Sequence, residues 1–470
     1  MRTSEKNEKS VRHRSAFIFF SLITVLALAA PLLKAEAEET LPPVPKGPLL
    51  LTSVKPEQLN PGYWINRLED PGRILKTPAE LAEINEDVHF ALSHCVDIFK
   101  MDGRKPGLAV RDQLELEYGA VKGRVLYDVQ DERIPKSFFE EKIVPLVAIK
   151  TVPDRIPVKW GAAVRPTSVR ALPTEVKMLE AKGDIEFDQL QFTLIKLWTP
   201  VGILHTSSDG KWYYIQAAYT RGWVKARDIA LFDSRDQLRT YAKSPEFLVV
   251  TGESVPLYAD PGLTGKIQQP SMGTILPLKS RSKTYYAVWI PERGGDGKAL
   301  LTEAYLDLAS DVSKGFPPYT QGNIIRQAFK LLGARYGWGG TYNGRDCSGF
   351  TQDVFLSMGV EMPRNAKDQV YVGTQLDHFE YKGDRARRLA VLKAATPGVT
   401  LFRMPKHQML YLGEVNGRFY VIHSTWAERI SMSSDEKNRI NQVVVSDLDL
   451  NGRSYLGSLE ERIISASEVR

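Results

Sequence analysis

Cys347 is one of only two cysteines in the chain, and it stands where a thiol can act as a nucleophile. It follows the glycine-rich turn Tyr336-Gly337-Trp338-Gly339-Gly340 and lies inside Asp346-Cys347-Ser348-Gly349-Phe350. Apolar Phe350, Val354, Phe355 and Met358 then recur at helical spacing, with Gly359 as the stop. A thiol at the head of such a helix faces unpaired N–H groups and the positive end of the macrodipole, which favours thiolate. Downstream, His407 opens the strand-like run His407-Gln408-Met409-Leu410-Tyr411-Leu412-Gly413, and His423 lies in a second strand over residues 418–424. A hairpin through residues 414–417 would bring both imidazoles to one end of a sheet. Cysteine, histidine and a polar group that orients the histidine are the parts of an activated nucleophile. Taken singly they point elsewhere, because a lone cysteine is more often a small buried hydrophobe and a strand histidine structural.

The second thiol, Cys95, sits in His89-Phe90-Ala91-Leu92-Ser93-His94-Cys95-Val96, expected as one face of a helix packed into a core. Pairing it with Cys347 would consume the candidate nucleophile, so neither is read as disulfide-bonded. No second Cys/His cluster accompanies His94 and Cys95, whereas zinc takes about four ligands. No metal and no cofactor are expected.

Together these pieces resemble the NlpC/P60 family of bacterial cysteine peptidases, which act on cell-wall peptides. The resemblance covers residues 320–459 and rests on the glycine turn, the Asp346–Cys347 motif, Pro363-Arg364-Asn365…Gln369, and the His407 strand with its Leu412-Gly413 end. It implies a papain-like α+β core with the Cys347 helix packed on an antiparallel sheet. It also implies Cys347 as nucleophile, His407 as base and His423 as the orienting member. By the same carry-over Tyr336 helps the Cys347 N–H stabilise the oxyanion, and Asp346, Ser348 and Trp338 contact substrate. Ala366 departs from the family pattern, where a small hydroxyl residue is common.

The elements that must position this site follow from patterning. At 470 residues the chain is long enough for about three or four units. Residues 1–37 read as a signal peptide: Arg2, Lys6, Lys9, Arg12 and Arg14 precede an apolar run over 16–33, and Ala35-Glu36-Ala37 offers a cleavage site. Export to the periplasm or cell envelope is the expectation, with membrane contact only through a retained segment. Residues 38–152 read as an extended, proline-punctuated lead-in and a mostly helical module. Leu81, Ile84, Val88, Ala91, Leu92, Cys95, Val96 and Phe99 carry its helical period. Short strands and turns follow over 153–232, where Ser208-Asp209-Gly210-Lys211-Trp212 and Gly222-Trp223-Val224 resemble a bacterial SH3-like barrel. A weaker second copy spans 245–312, an all-β pair ahead of a peptidase domain being a known family arrangement. The catalytic unit is expected over 316–470, with its last residues, 465–470, frayed.

Composition is ordinary for a globular chain, 43% hydrophobic and 25% charged. A formal charge of only +6, part of it in the first 37 residues, argues against nucleic acid as the partner. The resemblance implies peptidoglycan stem peptides or murein instead. The expected reaction is hydrolysis of the γ-D-glutamyl–L-diamino acid bond, favouring a free N-terminal L-Ala whose ammonium needs a carboxylate. Asp346 is the first candidate for that carboxylate, with Asp188 and Tyr219 of the first SH3-like unit behind it. A non-catalytic wall-binding protein and an amidase or acyltransferase with the same Cys-His core are the other readings.

Overall fold

The computed structural model describes residues 47–470 apart from 91, 93 and 94. The expected signal peptide, residues 1–37, lies outside the described residues. Short helices come first among the described residues. Pro61–Ile65 starts at Asn60, whose side chain accepts from the Gly62 N–H. Pro78–His89 starts at a reciprocal cap between Thr77 and Glu80, with proline at its first position. The longest, Gly107–Lys122, follows a short strand.

The helix that was expected to carry Cys95 stops at His89 instead. Its apolar period divides between two cores. Leu81, Val88 and Cys95 pack with the C-terminal unit, and Ile98, Phe99 and Met101 pack with the β units. A straight helix cannot serve both, so the chain turns: Cys95 N–H returns to Val88 O, and Val96 N–H reaches Ala218 O at 2.7 Å.

Seven antiparallel strands between Lys159 and Phe232 form the first sheet. Gln191–Ile195 lies at one edge, beside Thr167–Arg170, and Ile229–Phe232 at the other. Val169, Ile195, Val201, Ile203, Ile215, Val224 and Ile229 fill it. A second sheet of seven strands runs from Phe247 to Lys314.

In the C-terminal unit six antiparallel strands stand in the order Thr374–His378, Ser465–Glu468, Thr400–Met404, His407–Val415, Arg418–Arg429, Lys437–Asp447. Alternation divides their side chains. Leu401, Leu410, Ile422 and Val443 share a core with Ile324, Ile325 and Ala328 of Gln321–Lys330 and Phe350, Val354 and Phe355 of Cys347–Leu356. Phe402, Met409, Tyr411, Val421 and Val444 form a second core with Leu392 of Arg385–Ala394. The His407 and His423 strands are joined through Asn416 and Gly417, both at positive φ, as a tight hairpin requires.

The chain terminus is not frayed. Ser465–Glu468 is an interior strand, paired with Thr374–His378 on one side and Thr400–Met404 on the other. Its small side chains gave no hydrophobic signal, but every residue is buried. Glu468 is held by Arg470 at 2.5 Å and by Thr396 N–H at 3.0 Å.

Deleting residues 465–470 would unpair two neighbouring strands, at about 1–3 kcal/mol per stranded buried backbone group. The truncated chain is expected to lose the cooperative unfolding transition of the C-terminal unit in a thermal melt followed by near-ultraviolet circular dichroism. A transition kept within a few degrees would show the strand to be dispensable.

Candidate active site

The site is assembled around Asp346. Its carboxylate caps the helix Cys347–Leu356, accepting from Gly349 N–H at 2.8 Å. Its second oxygen accepts from Gly339 N–H at 3.0 Å, so the glycine turn and the helix head hold each other. Arg364 completes the knot: Nη2 lies 2.5 Å and Nη1 3.1 Å from the two Asp346 oxygens. The same guanidinium donates to Ser348 Oγ at 2.9 Å and, through Nε, to Thr193 Oγ1 of the first sheet at 2.8 Å. Burial works to raise the Asp346 carboxyl, but Arg364 and the backbone donors hold it below its ordinary range.

Two glycines let the first β unit approach this knot. Gly339 and Gly340 have φ of +58° and +81°. A Cβ on Gly339 would stand 2.6 Å from Gln191 Cγ, and one on Gly340 2.7 Å from Leu194 Cβ. Gln191 also donates to Gly339 O at 2.9 Å. The edge strand Gln191–Ile195 is therefore covered by the turn that precedes Cys347.

Cys347 sits where two strands part. The His407 and His423 strands pair from Leu410↔Ile422 toward their hairpin. At the open end Ser424 Oγ donates to Arg345 O at 2.6 Å, and the Gln408 backbone of the His407 strand acts to lower the pKa of the Cys347 thiol. His407 Nε2 lies 2.6 Å from His423 Nδ1, and His423 Nε2 lies 2.9 Å from Ser446 Oγ. Behind them, Gln408 reaches Gln369 Oε1 at 2.5 Å, and Gln369 donates to Ser348 O and Pro363 O. This ties the His407 strand to the Cys347 helix.

The electrostatics differ from the thiolate expected at a helix head. Burial and the Asp346 charge push the Cys347 thiol up to about 12, against the pull of the Gln408 N–H and Arg364. Burial, aided by the Arg462 charge, lowers His407 to about 3. Burial and His407 push His423 well below its ordinary value. The resting thiol and the resting imidazole are both neutral, because desolvation outweighs the macrodipole. Tyr336 is buried, and burial and the charges of Asp346 and Cys347 raise its phenol well above the ordinary value. It stays an O–H donor.

The remaining expected contacts need correction. Asp346 is not an open carboxylate for an ammonium, since Arg364 and two backbone N–H groups saturate it. Ser348 belongs to the same knot. Asp188 is 2% exposed, paired with Arg170 at 2.7 Å and accepting from the Met178 and Leu190 N–H groups. It staples its own loop. Tyr219 lines a different, apolar cavity of about 150 Å³ with Cys95, Trp198 and Met362. Trp338 does stand at the junction of the units, its indole donating to Asp188 O at 3.1 Å.

Sequence reasoning missed Ser446, the structural role of Arg364, and the loop that walls the site. On that loop Phe187 meets Tyr336, Trp338 and Trp426 at centroid distances of 6.3, 5.5 and 5.2 Å. Glu186 beside it is held by Arg335, Arg439 and Trp426. Arg364 and Gln369 lay within a quoted motif and carried no role. Ser446 and Phe187 had no motif to mark them.

Comparison with known proteins gives concordant matches. Residues 333–448 match the NlpC/P60 family, and residues 177–225 match an SH3 domain of the SH3b1 type. A γ-D-glutamyl-L-lysine dipeptidyl-peptidase of Bacillus cereus is 30% identical over 192 residues, 39% of this chain and 51% of the relative. A γ-DL-glutamyl hydrolase of Bacillus subtilis is 30% identical over 118 residues, 24% of this chain and 26% of the relative. The chain thus spans about half the length, or less, of the curated relatives it matches. The solved structure of an NlpC/P60 endopeptidase from Photobacterium damselae subsp. piscicida superposes with a TM-score of 0.70, covering 92% of this chain and 98% of that one. At 18% identity this is a likeness of fold.

Unfolded, each histidine titrates near 6.5, whereas folded His407 titrates near 3. Between those values the unfolded chain binds protons that the folded chain refuses, so stability is full above about 6.5 and declines as the pH falls toward about 3. Melting temperatures taken across that window are expected to fall, and a flat profile would contradict the buried neutral pair. Alkylation of Cys347 by iodoacetamide is expected to climb through the alkaline range without a plateau near neutrality. Arg364→Met would strand a buried carboxylate and is expected to cost about 3–5 kcal/mol in denaturant unfolding.

Proposed function

From a chain that carries an NlpC/P60 cysteine peptidase domain behind a bacterial SH3 domain, we propose an exported endopeptidase that hydrolyses the γ-D-glutamyl–L-diamino acid bond of peptidoglycan stem peptides. One observation carries this reading: Cys347 begins a helix packed against the sheet that holds His407 and His423, whose imidazoles are hydrogen-bonded to each other, and the Gln408 backbone next to His407 acts on its thiol. The names of the Bacillus relatives, which act on γ-glutamyl bonds, support the choice of bond. The second β unit is read as a second SH3-like barrel, and the C-terminal unit as a papain-like core. Among the described residues no helix is long and apolar enough to cross a membrane. Export rests on the charged and apolar start of the chain.

The chemistry follows from the resting protonation states. As Cys347 attacks the γ-carbonyl, its proton passes to His407. His423 accepts from or donates to the far nitrogen of His407 and is held in turn by Ser446. The imidazolium is thus formed only with the thiolate, where opposite charges meet in a dry site. The Cys347 N–H and the Tyr336 hydroxyl stabilise the oxyanion, a contribution of about 3 kcal/mol for one such donor in other enzymes. His407 then gives its proton to the leaving amine. Water, deprotonated by His407, hydrolyses the thioester and restores the thiol.

The SH3 loop that carries Phe187 closes one side of the site, which supports a preference for stems ending in a free L-Ala. Asp188 and Glu186 are both held by arginines. Asp184, half-buried on the same loop and without an ion pair among the described residues, is the carboxylate left for the ammonium.

Purified protein is expected to release L-Ala-γ-D-Glu from L-Ala-γ-D-Glu-diamino acid peptides, read by mass spectrometry, and Cys347→Ala is expected to fold without cutting. Turnover by that variant would sink the mechanism. Capping the amine of the substrate should lower kcat/KM, and Asp184→Asn should narrow the gap between free and capped peptides. Equal cleavage of both by the unmodified protein would make intact murein the better substrate.

A further inference from the structure

Arg462 is a buried cation that the fold leaves without a counter-charge. It ends the short helix Leu459–Arg462 and is 8% exposed, with Nε buried and without a hydrogen-bond partner. Among the described residues it makes no ion pair. The carboxylates nearest it in the chain are committed elsewhere: Glu460 to Arg388 at 2.9 Å, and Glu461 to the cap at Ser458. Asp435 is taken by Arg429, Lys437 and Tyr455. The polar groups beside the guanidinium are the hydroxyls of Tyr381 and Tyr455. A desolvated guanidinium without an acid is costly, and burial does lower its affinity for a proton. A ligand carboxylate would complete the pair.

Its position says which ligand. Ile464 N–H bonds Arg403 O at 2.8 Å, Ser465 pairs with Arg403, and Met404 pairs with His407. Arg462 therefore stands at the end of the sheet where His407 begins its strand, and its charge is felt by that imidazole. The SH3 loop lies on the other side of the His407 strand, held through Trp426 of its neighbour Arg418–Arg429 and Asn441 of the edge strand Lys437–Asp447. The two features flank His407 from opposite sides. His407 must protonate the leaving amine, so the residue that owns this amine extends over the Arg462 side, away from the SH3 loop.

We propose that Arg462 is a specificity-determining residue that pairs with a carboxylate on the leaving amino acid, and so selects diaminopimelate over lysine. In a stem of four or more residues the α-carboxyl of the diamino acid is locked in a peptide bond. Its only free anion is then the side-chain carboxylate, which diaminopimelate has and lysine lacks. A planar guanidinium matches that group in a bidentate fork. This inference rests on the reading of the site as a hydrolase of the γ-D-glutamyl–diamino acid bond.

The test uses the full chain and three peptides: L-Ala-γ-D-Glu-diaminopimelyl-D-Ala, the same with the side-chain carboxyl amidated, and the lysine analogue. The unmodified protein is expected to favour the free carboxylate by at least about tenfold in kcat/KM over both others, chiefly through KM. Arg462→Gln should collapse that ratio toward one, and Arg462→Lys should keep part of it. Equal cleavage of the three peptides, or a parallel loss on all of them in R462Q with the ratio intact, would overturn the assignment. The amidated peptide makes the comparison without any variant, should R462Q fold poorly. Calorimetric binding to C347A separates the two readings. If that variant discriminates the peptides through Arg462 while the unmodified protein cuts none, the hydrolase reading falls and the carboxylate site stands. If all are cut and bound alike, the carboxylate site falls and the hydrolase reading stands; if none is cut or bound, both fall.

Discussion

The ion pair between Asp346 and Arg364 is the contact on which the rest of this site depends. One carboxylate caps the helix that begins with Cys347, holds the glycine turn through Gly339, and binds an arginine that also reaches Ser348 and Thr193. A buried pair of this kind is a weak source of net stability, since desolvation consumes most of the Coulomb gain. What it supplies is position. Each of its hydrogen bonds goes to a different element, so helix head, turn and first β unit are fixed relative to one another by a single charged centre.

A second ionic chain reinforces the arrangement from behind. Lys196 of the first β unit lies 2.8 Å from Asp353 on the Cys347 helix and donates to Ser271 of the second β unit at 3.0 Å. Asp353 also takes Arg345, which reaches Glu253 O. A cavity of about 330 Å³ is lined by these residues, by Asp346 and Arg364, and by both β units. The second β unit, which supplies no side chain to the thiol, is thereby tied to the same helix. Precision at Cys347 is distributed over three units, which is the economy expected when reacting atoms must be held to a fraction of an ångström.

Dryness has an electrostatic consequence. A helix head by itself favours thiolate, but here partial burial and the Asp346 charge both oppose ionisation of the thiol, and these effects prevail. The same enclosure keeps His407 and His423 neutral and hydrogen-bonded. Charge separation is deferred to the moment of attack, when a low-dielectric site makes the ion pair and the oxyanion contacts strongest.

Much of this was legible in the sequence because local chemistry is written in local motifs. The glycine turn, the apolar spacing after Cys347 and the two histidine strands each follow from short-range rules of backbone geometry and periodicity, and each lies where those rules put it. Asp346 and Asp188 show the limit. Asp346 is offered as a free acid by its place in the motif, and Asp188 by a rough alignment of the SH3-like unit. Whether a carboxylate is free depends on which arginine faces it, and Arg364 and Arg170 arrive from 18 residues away in each case, with no periodicity to announce them. The buried strand Ser465–Glu468 is invisible for a related reason: interior strands are recognised by apolar runs, and this one is built from small polar residues that fit because its neighbours close over it. The helix expected to run through Cys95 failed for a third, since its period served two different cores and only the packed structure decides where the chain must turn. Residue type and spacing determined which groups can react. The tertiary structure alone decided which charges are left unpaired, because pairing and desolvation are set by what the rest of the chain brings alongside.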